Sequence, residues 1–76
     1  MSSLPRLSGL KIIKVLTKEF GFSVVRQKGS HVVLHKFVNG RKVVTVVPMH
    51  NEVKLGTLMG ILDLAEIKKE DFVNKL

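Results

Sequence analysis

The stretch Phe22-Ser23-Val24-Val25-Arg26-Gln27-Lys28-Gly29-Ser30-His31-Val32-Val33-Leu34 decides the fold. Two runs rich in β-branched residues flank a turn signal, the pattern of a β-hairpin. Gly29 supplies the backbone freedom that a tight turn needs. The hairpin gathers Arg26, Lys28 and His31 at its closed end. Fixed cations beside a group that titrates near neutrality suit a phosphate. On chemistry alone, a charged turn with a solvated histidine is the simpler account.

Toward the C-terminus the strands continue. The first is expected over residues 22–27. Strict alternation puts Phe22, Val24 and Arg26 on one face and Ser23, Val25 and Gln27 on the other. The second, over 31–37, puts His31, Val33 and His35 on one face and Val32, Leu34 and Lys36 on the other. Asn39-Gly40 is a strong hairpin signal. The third strand, over 41–47, carries the β-branched run Val43 to Val47, and Pro48 ends it. Short strands joined by tight turns make an antiparallel meander.

Toward the N-terminus, Leu7-Ser8 reads as a helix entry, with Ser8 as N-cap and Leu7 and Ile12 placed as a hydrophobic staple. Ile12, Ile13, Leu16 and Phe20 recur at helical spacing, and Gly21 closes a helix over residues 9–20. Beyond the meander comes a loop with His50 and Asn51. A second helix follows, its start uncertain between residues 54 and 57, with Leu55, Leu58, Ile61, Leu62 and Ala65 on a packing face. Gly56 and Gly60 weaken it locally. Residues 69–76 form a short last helix with Glu70 and Asp71 in its first turn, where the dipole favours acids. The order α-β-β-β-α, plus the short helix, predicts an α+β two-layer domain with one sheet face covered and one open.

Size and charge narrow the function. A chain of 76 residues is one domain with a compact core. It has no cysteine, which excludes disulfides, thiolate catalysis and cysteine-bound zinc. No run has the length of a signal peptide or a membrane span, so the expected compartment is the cytosol. The formal net charge is +7. Residues 1–62 hold ten Lys/Arg against two acids, a balance of +8, while residues 63–76 stand at −1. A basic body suits a polyanion.

Several pieces now line up with a known family. Pro5 with Leu7-Ser8-Gly9, the Phe20-Gly21-Phe22 helix end, Arg26-Gln27-Lys28-Gly29-Ser30-His31, Val47-Pro48-Met49-His50, and Gly56-Thr57-Leu58 with Ile61-Leu62 follow in order. Over nearly the whole length, 1–76, the sequence resembles the HicA toxins. The resemblance implies a double-stranded-RNA-binding-domain-like fold and an mRNA interferase acting in a type II toxin–antitoxin pair. It implies a HicB antitoxin as partner, a catalytic histidine after the Gly-Ser turn (His31 here) and no cofactor. Two places depart from the family pattern. Met59-Gly60 stand where basic residues usually continue the second helix, and Ala65-Glu66 where glycine often follows the alanine.

Metal-independent RNA cleavage needs a base for the 2′-hydroxyl, an acid for the leaving oxygen and cations for the phosphate. His31 is the proton carrier that the resemblance selects. Arg26 and Lys28 would hold phosphate, although the Arg26 stem can also cover apolar surface. Ser30 can donate to phosphate, although most turn serines bond backbone. Lys11, Lys14 and Lys18 fall on one helix face, as a phosphate-tracking row or as ordinary solubility. His35 shares the face of His31 at a spacing that suits neither a dyad nor a helical metal pair. His50 is equally a structural loop residue and a second candidate. No metal site, small-molecule ligand or membrane partner is expected; RNA is. The competing classes are a non-catalytic RNA-binding module of the same fold and a protein-interaction domain.

Overall fold

The computed structural model describes residues 4–76; residues 1–3 lie outside the described residues. The elements are α1 (Gly9–Glu19), β1 (Ser23–Lys28), β2 (His31–Val38), β3 (Arg41–Pro48), α2 (Leu55–Ala65) and α3 (Lys69–Val73). The strands form one antiparallel sheet in the order β1-β2-β3. This is the expected α+β order, with element ends moved by one residue or a few.

Local chemistry explains the boundaries of α1 and of both hairpins. Ser8 Oγ accepts the Lys11 amide at 3.1 Å, capping α1. At the other end, Phe20 is the C-cap and the Phe22 amide returns to the Leu16 carbonyl at 3.1 Å. Lys36 Nζ donates to the Phe20 carbonyl at 3.1 Å and lies 4.9 Å from the Phe22 ring centroid. That cation sits where the α1 dipole favours it. Lys28 pairs directly with His31, leaving Gly29-Ser30 as a two-residue loop. Gly29 has φ +59°, the positive value that a type II′ turn needs at its first central residue. Asn39 and Gly40 both have positive φ, as a type I′ turn requires.

The helices cover one sheet face. Val32, Leu34, Val43 and Val47 point into a core closed by Ile12, Val15 and Leu16 of α1 and Leu58, Ile61 and Leu62 of α2. Thr45 is fully buried among them, and its hydroxyl donates to the Ile61 carbonyl at 2.9 Å. Phe72 of α3 is buried and stacks on Phe20 with ring centroids 6.3 Å apart. The C-cap of α2 is Glu66 in the left-handed region, φ 60°. Its carboxylate takes a two-pronged bond from Arg41, at 2.6 and 2.7 Å. Those hydrogen bonds hold the Glu66 carboxyl below its ordinary range.

The alternation expected for the first strand fails. Val24 pairs with Leu34, but Arg26 pairs with the next residue back, Val33. Val25 is the extra residue of a β-bulge. Directly paired residues share a face. Val24 therefore lies on the helix side with Leu34, whereas Arg26 joins Val33 on the opposite, open side. Lys28, opposite His31, and Arg26, opposite Val33, stand on the open side by regular alternation from the turn; the bulge returns Val24, and with it the buried Phe22, to the helix side. All of β1 is exposed, as befits an edge strand beyond the helices.

Candidate functional site

Three separate segments meet at the end of the sheet where β1 turns into β2. The Met49 amide donates to the Ser30 carbonyl at 2.6 Å, tying the segment after β3 to the turn. The Gly9 amide donates to the His50 carbonyl at 2.9 Å, tying the start of α1 to that segment. The Val53 amide donates to the Leu7 carbonyl at 2.7 Å and extends the seam. Only glycine fits at position 9. A Cβ there would lie 2.1 Å from the Pro48 carbonyl oxygen and 3.0 Å from Met49 Cα. The seam thus sets the ledge that borders His31, which pairs with Pro48 across the β2–β3 ladder.

On the open face, Lys28 lies directly opposite His31, and Arg26, opposite Val33, is on the same side. Arg26, Lys28, Ser30 and His31 are all exposed. Gln27 steadies the turn by donating from Nε2 to the Gly29 carbonyl at 3.1 Å. From Phe20 to Asn51 the chain contains no Asp or Glu. The whole meander therefore presents cations without a carboxylate to offset them, apart from Arg41, which Glu66 engages. Such a face attracts polyanions.

The remaining candidates are placed differently. His35 is half-buried on the open face, its ring 5.3 Å from that of Phe37. It is two alternate positions along β2 from His31, too far to form a dyad with it. His50 is exposed, and its backbone belongs to the seam. Lys11, Lys14 and Lys18 line a depression of about 120 Å³ along α1, together with Val15, Glu19 and Lys75. That row lies on a surface of its own, outside the His31 turn. Among the described residues, no three His, Cys, Asp or Glu side chains group as a metal site. No helix among them is long and apolar enough to cross a membrane.

Sequence reading missed three contributors. Lys75 joins the lysine row only because α3 brings the C-terminal residues beside α1, and no local pattern signals that contact. Gly9 carries no local signal of its close approach, since its neighbour Pro48 is remote in sequence. Phe37 continues the His31, Val33, His35 alternation, and that period was legible.

No curated protein and no solved structure matches the chain. A family profile does, that of the HicA toxin of bacterial toxin–antitoxin systems, over residues 9–67. The matched span begins at the glycine of the seam and ends just past the Glu66 cap, so it takes in the turn, the whole sheet and the helices α1 and α2. The chain is therefore a member of the HicA toxin family, the toxin side of a toxin–antitoxin pair whose other member is an antitoxin.

Proposed function

We propose that this toxin is an endoribonuclease, an mRNA interferase that cuts RNA by metal-independent acid–base chemistry at His31. The observation that carries the reading is the closed end of the first hairpin. There the exposed His31 faces Lys28 across the turn, and Arg26, two residues before Lys28 and opposite Val33, is on the same side. His31 takes the proton of a ribose 2′-hydroxyl, whose oxygen attacks the adjacent phosphorus. The 5′-oxygen leaves with a proton supplied by water or by a second group. The products are a 2′,3′-cyclic phosphate and a 5′-hydroxyl end. Lys28 and Arg26 stabilise the charge that grows on the phosphoryl oxygens, and Ser30 adds a hydrogen bond. Lys11, Lys14 and Lys18 contact flanking phosphates. A HicB-like antitoxin silences the toxin by covering this basic face, where charge complementarity speeds and directs association.

The test is a defined RNA incubated with purified toxin in chelator, beside His31→Ala. Cleavage by the variant should fall about 10²–10⁴-fold, the usual share of one general acid–base group. Its affinity for RNA and antitoxin should persist, because cations supply most phosphate affinity. Equal cleavage by both proteins would remove His31 from the mechanism and pass the role to His50. RNA binding without cleavage by the wild type would favour a non-catalytic RNA-binding module.

A further inference from the structure

We propose that His35 and Phe37 form a base-stacking platform for single-stranded RNA on the open face of the sheet, an inference that rests on the function proposed above. Phe37 is 65% exposed, the most exposed large hydrophobic side chain among the described residues. It lies on the uncovered sheet face, and it has a ring neighbour. The His35 ring is 5.3 Å away, tilted by 59°. Adjacent flat groups on a pleated surface are what bases stack upon in sheet-type RNA readers.

The row has a direction. His31, Val33, His35 and Phe37 follow one another along one side of β2. At a strand rise of about 3.3 Å per residue, His35 lies about 13 Å and Phe37 about 20 Å from His31. Bases seated on the two rings would lie a few nucleotides from the bond cut at His31. The platform therefore holds one flank of the substrate while the turn holds the scissile phosphate.

The charges select the occupant. Arg26 and Lys28 border the row on β1, and Lys42 lies directly opposite Phe37 on β3. The stretch from Phe20 to Asn51 contains no acid. An apolar partner protein would meet these cations at a desolvation cost, whereas a nucleic acid brings phosphates to them. The strand must be unpaired, because a duplex keeps its base faces stacked inside.

The test uses the His31→Ala chain, so that RNA is bound and not consumed. Single-stranded RNA carrying 2-aminopurine is titrated, with the duplex of the same sequence as competitor. The expected result is quenching on binding and preference for the single strand. Phe37→Ala should weaken binding roughly 10- to 100-fold, the range for loss of one base stack, and remove the quench. Phe37→Tyr should restore both, while Phe37→Leu, apolar but not flat, should not. Equal affinity for the Ala, Leu and Tyr variants overturns the inference and leaves the proposed function standing. So does preference for the duplex. Unchanged RNA affinity with loss of antitoxin binding assigns the face to the protein partner and also overturns it. If the His31→Ala chain binds no RNA at all, the proposed function fails together with this inference.

Discussion

Replacing Gly9 by alanine tests whether the seam between α1 and the Pro48–His50 segment sets both the fold and the site. In an ordinary helix the change stabilises, by up to about 1 kcal/mol. Here the new methyl would meet backbone atoms, 2.1 Å from the Pro48 carbonyl oxygen and 3.0 Å from Met49 Cα. Backbone cannot rotate away as a side chain tip can, so α1 must lift. Overpacking of this kind costs about 1–3 kcal/mol. The lift also breaks the Gly9-to-His50 hydrogen bond of 2.9 Å, a further loss of about 0.5–1.5 kcal/mol. After a helix propensity gain of about 1 kcal/mol, a net loss of about 0.5–3.5 kcal/mol remains. A domain of this length has a total of roughly 4–11 kcal/mol at the usual stability per residue. Urea unfolding followed by far-ultraviolet circular dichroism should show a clear fall in midpoint with an unchanged slope. Gly56→Ala and Gly60→Ala are the controls. Nothing lies within 4 Å of a Cβ at either position. Each should raise stability by about 0.5–1 kcal/mol. A Gly9→Ala protein as stable as wild type would refute the close-approach reasoning.

Three further outcomes follow from other contacts. Changing Lys11, Lys14 and Lys18 together to Gln should weaken RNA binding and flatten its logarithmic salt slope by up to about 2, at roughly 0.7 per single-strand phosphate contact; an unchanged slope assigns the row to solubility. Thr45→Val removes the buried hydroxyl that bonds the Ile61 carbonyl, and should cost about 0.5–1.5 kcal/mol in urea unfolding. The Arg41–Glu66 pair gives a pH dependence. The folded-state Glu66 carboxyl is held below its ordinary range, so its contribution is present above the unfolded value of about 4.3 and is lost as pH falls through the lower folded value. The pair is exposed, so the effect is small and shrinks with salt. Thermal midpoints measured against pH, wild type beside Glu66→Gln, should converge in acid; a constant gap would contradict the linkage.

What the sequence made legible was local. Gly29 and Asn39-Gly40 marked both hairpins because each turn type demands positive φ at those positions. Ser8 marked the start of α1, and the period of β2 separated Val32 and Leu34 from His31 and His35. The bulge at Val25 was not legible. It is one valine among β-branched neighbours, with no glycine to flag an unpaired residue, and only the partner strand defines it. That single residue decides whether Val24 and Phe22 stand on the helix side while Arg26 and Lys28 stand with His31. Glu66 shows the same limit. Its left-handed conformation is one that glycine normally supplies, and Arg41, remote in sequence, holds the carboxylate. The role of Gly9 likewise depends on a carbonyl that the sequence does not place beside it.

The seam also bears on the order in which the molecule takes shape. The β1–β2 and β2–β3 hairpins join neighbours in the chain and close small loops. The bond from Gly9 to His50 closes a loop that contains the entire sheet. Loop-closure entropy makes such remote contacts the late ones. During synthesis, the ledge beside His31 cannot assemble until the ribosome has released His50 and the residues that anchor it. A nascent chain therefore displays His31 on a finished hairpin before the Pro48–His50 segment is fixed against α1 beside it.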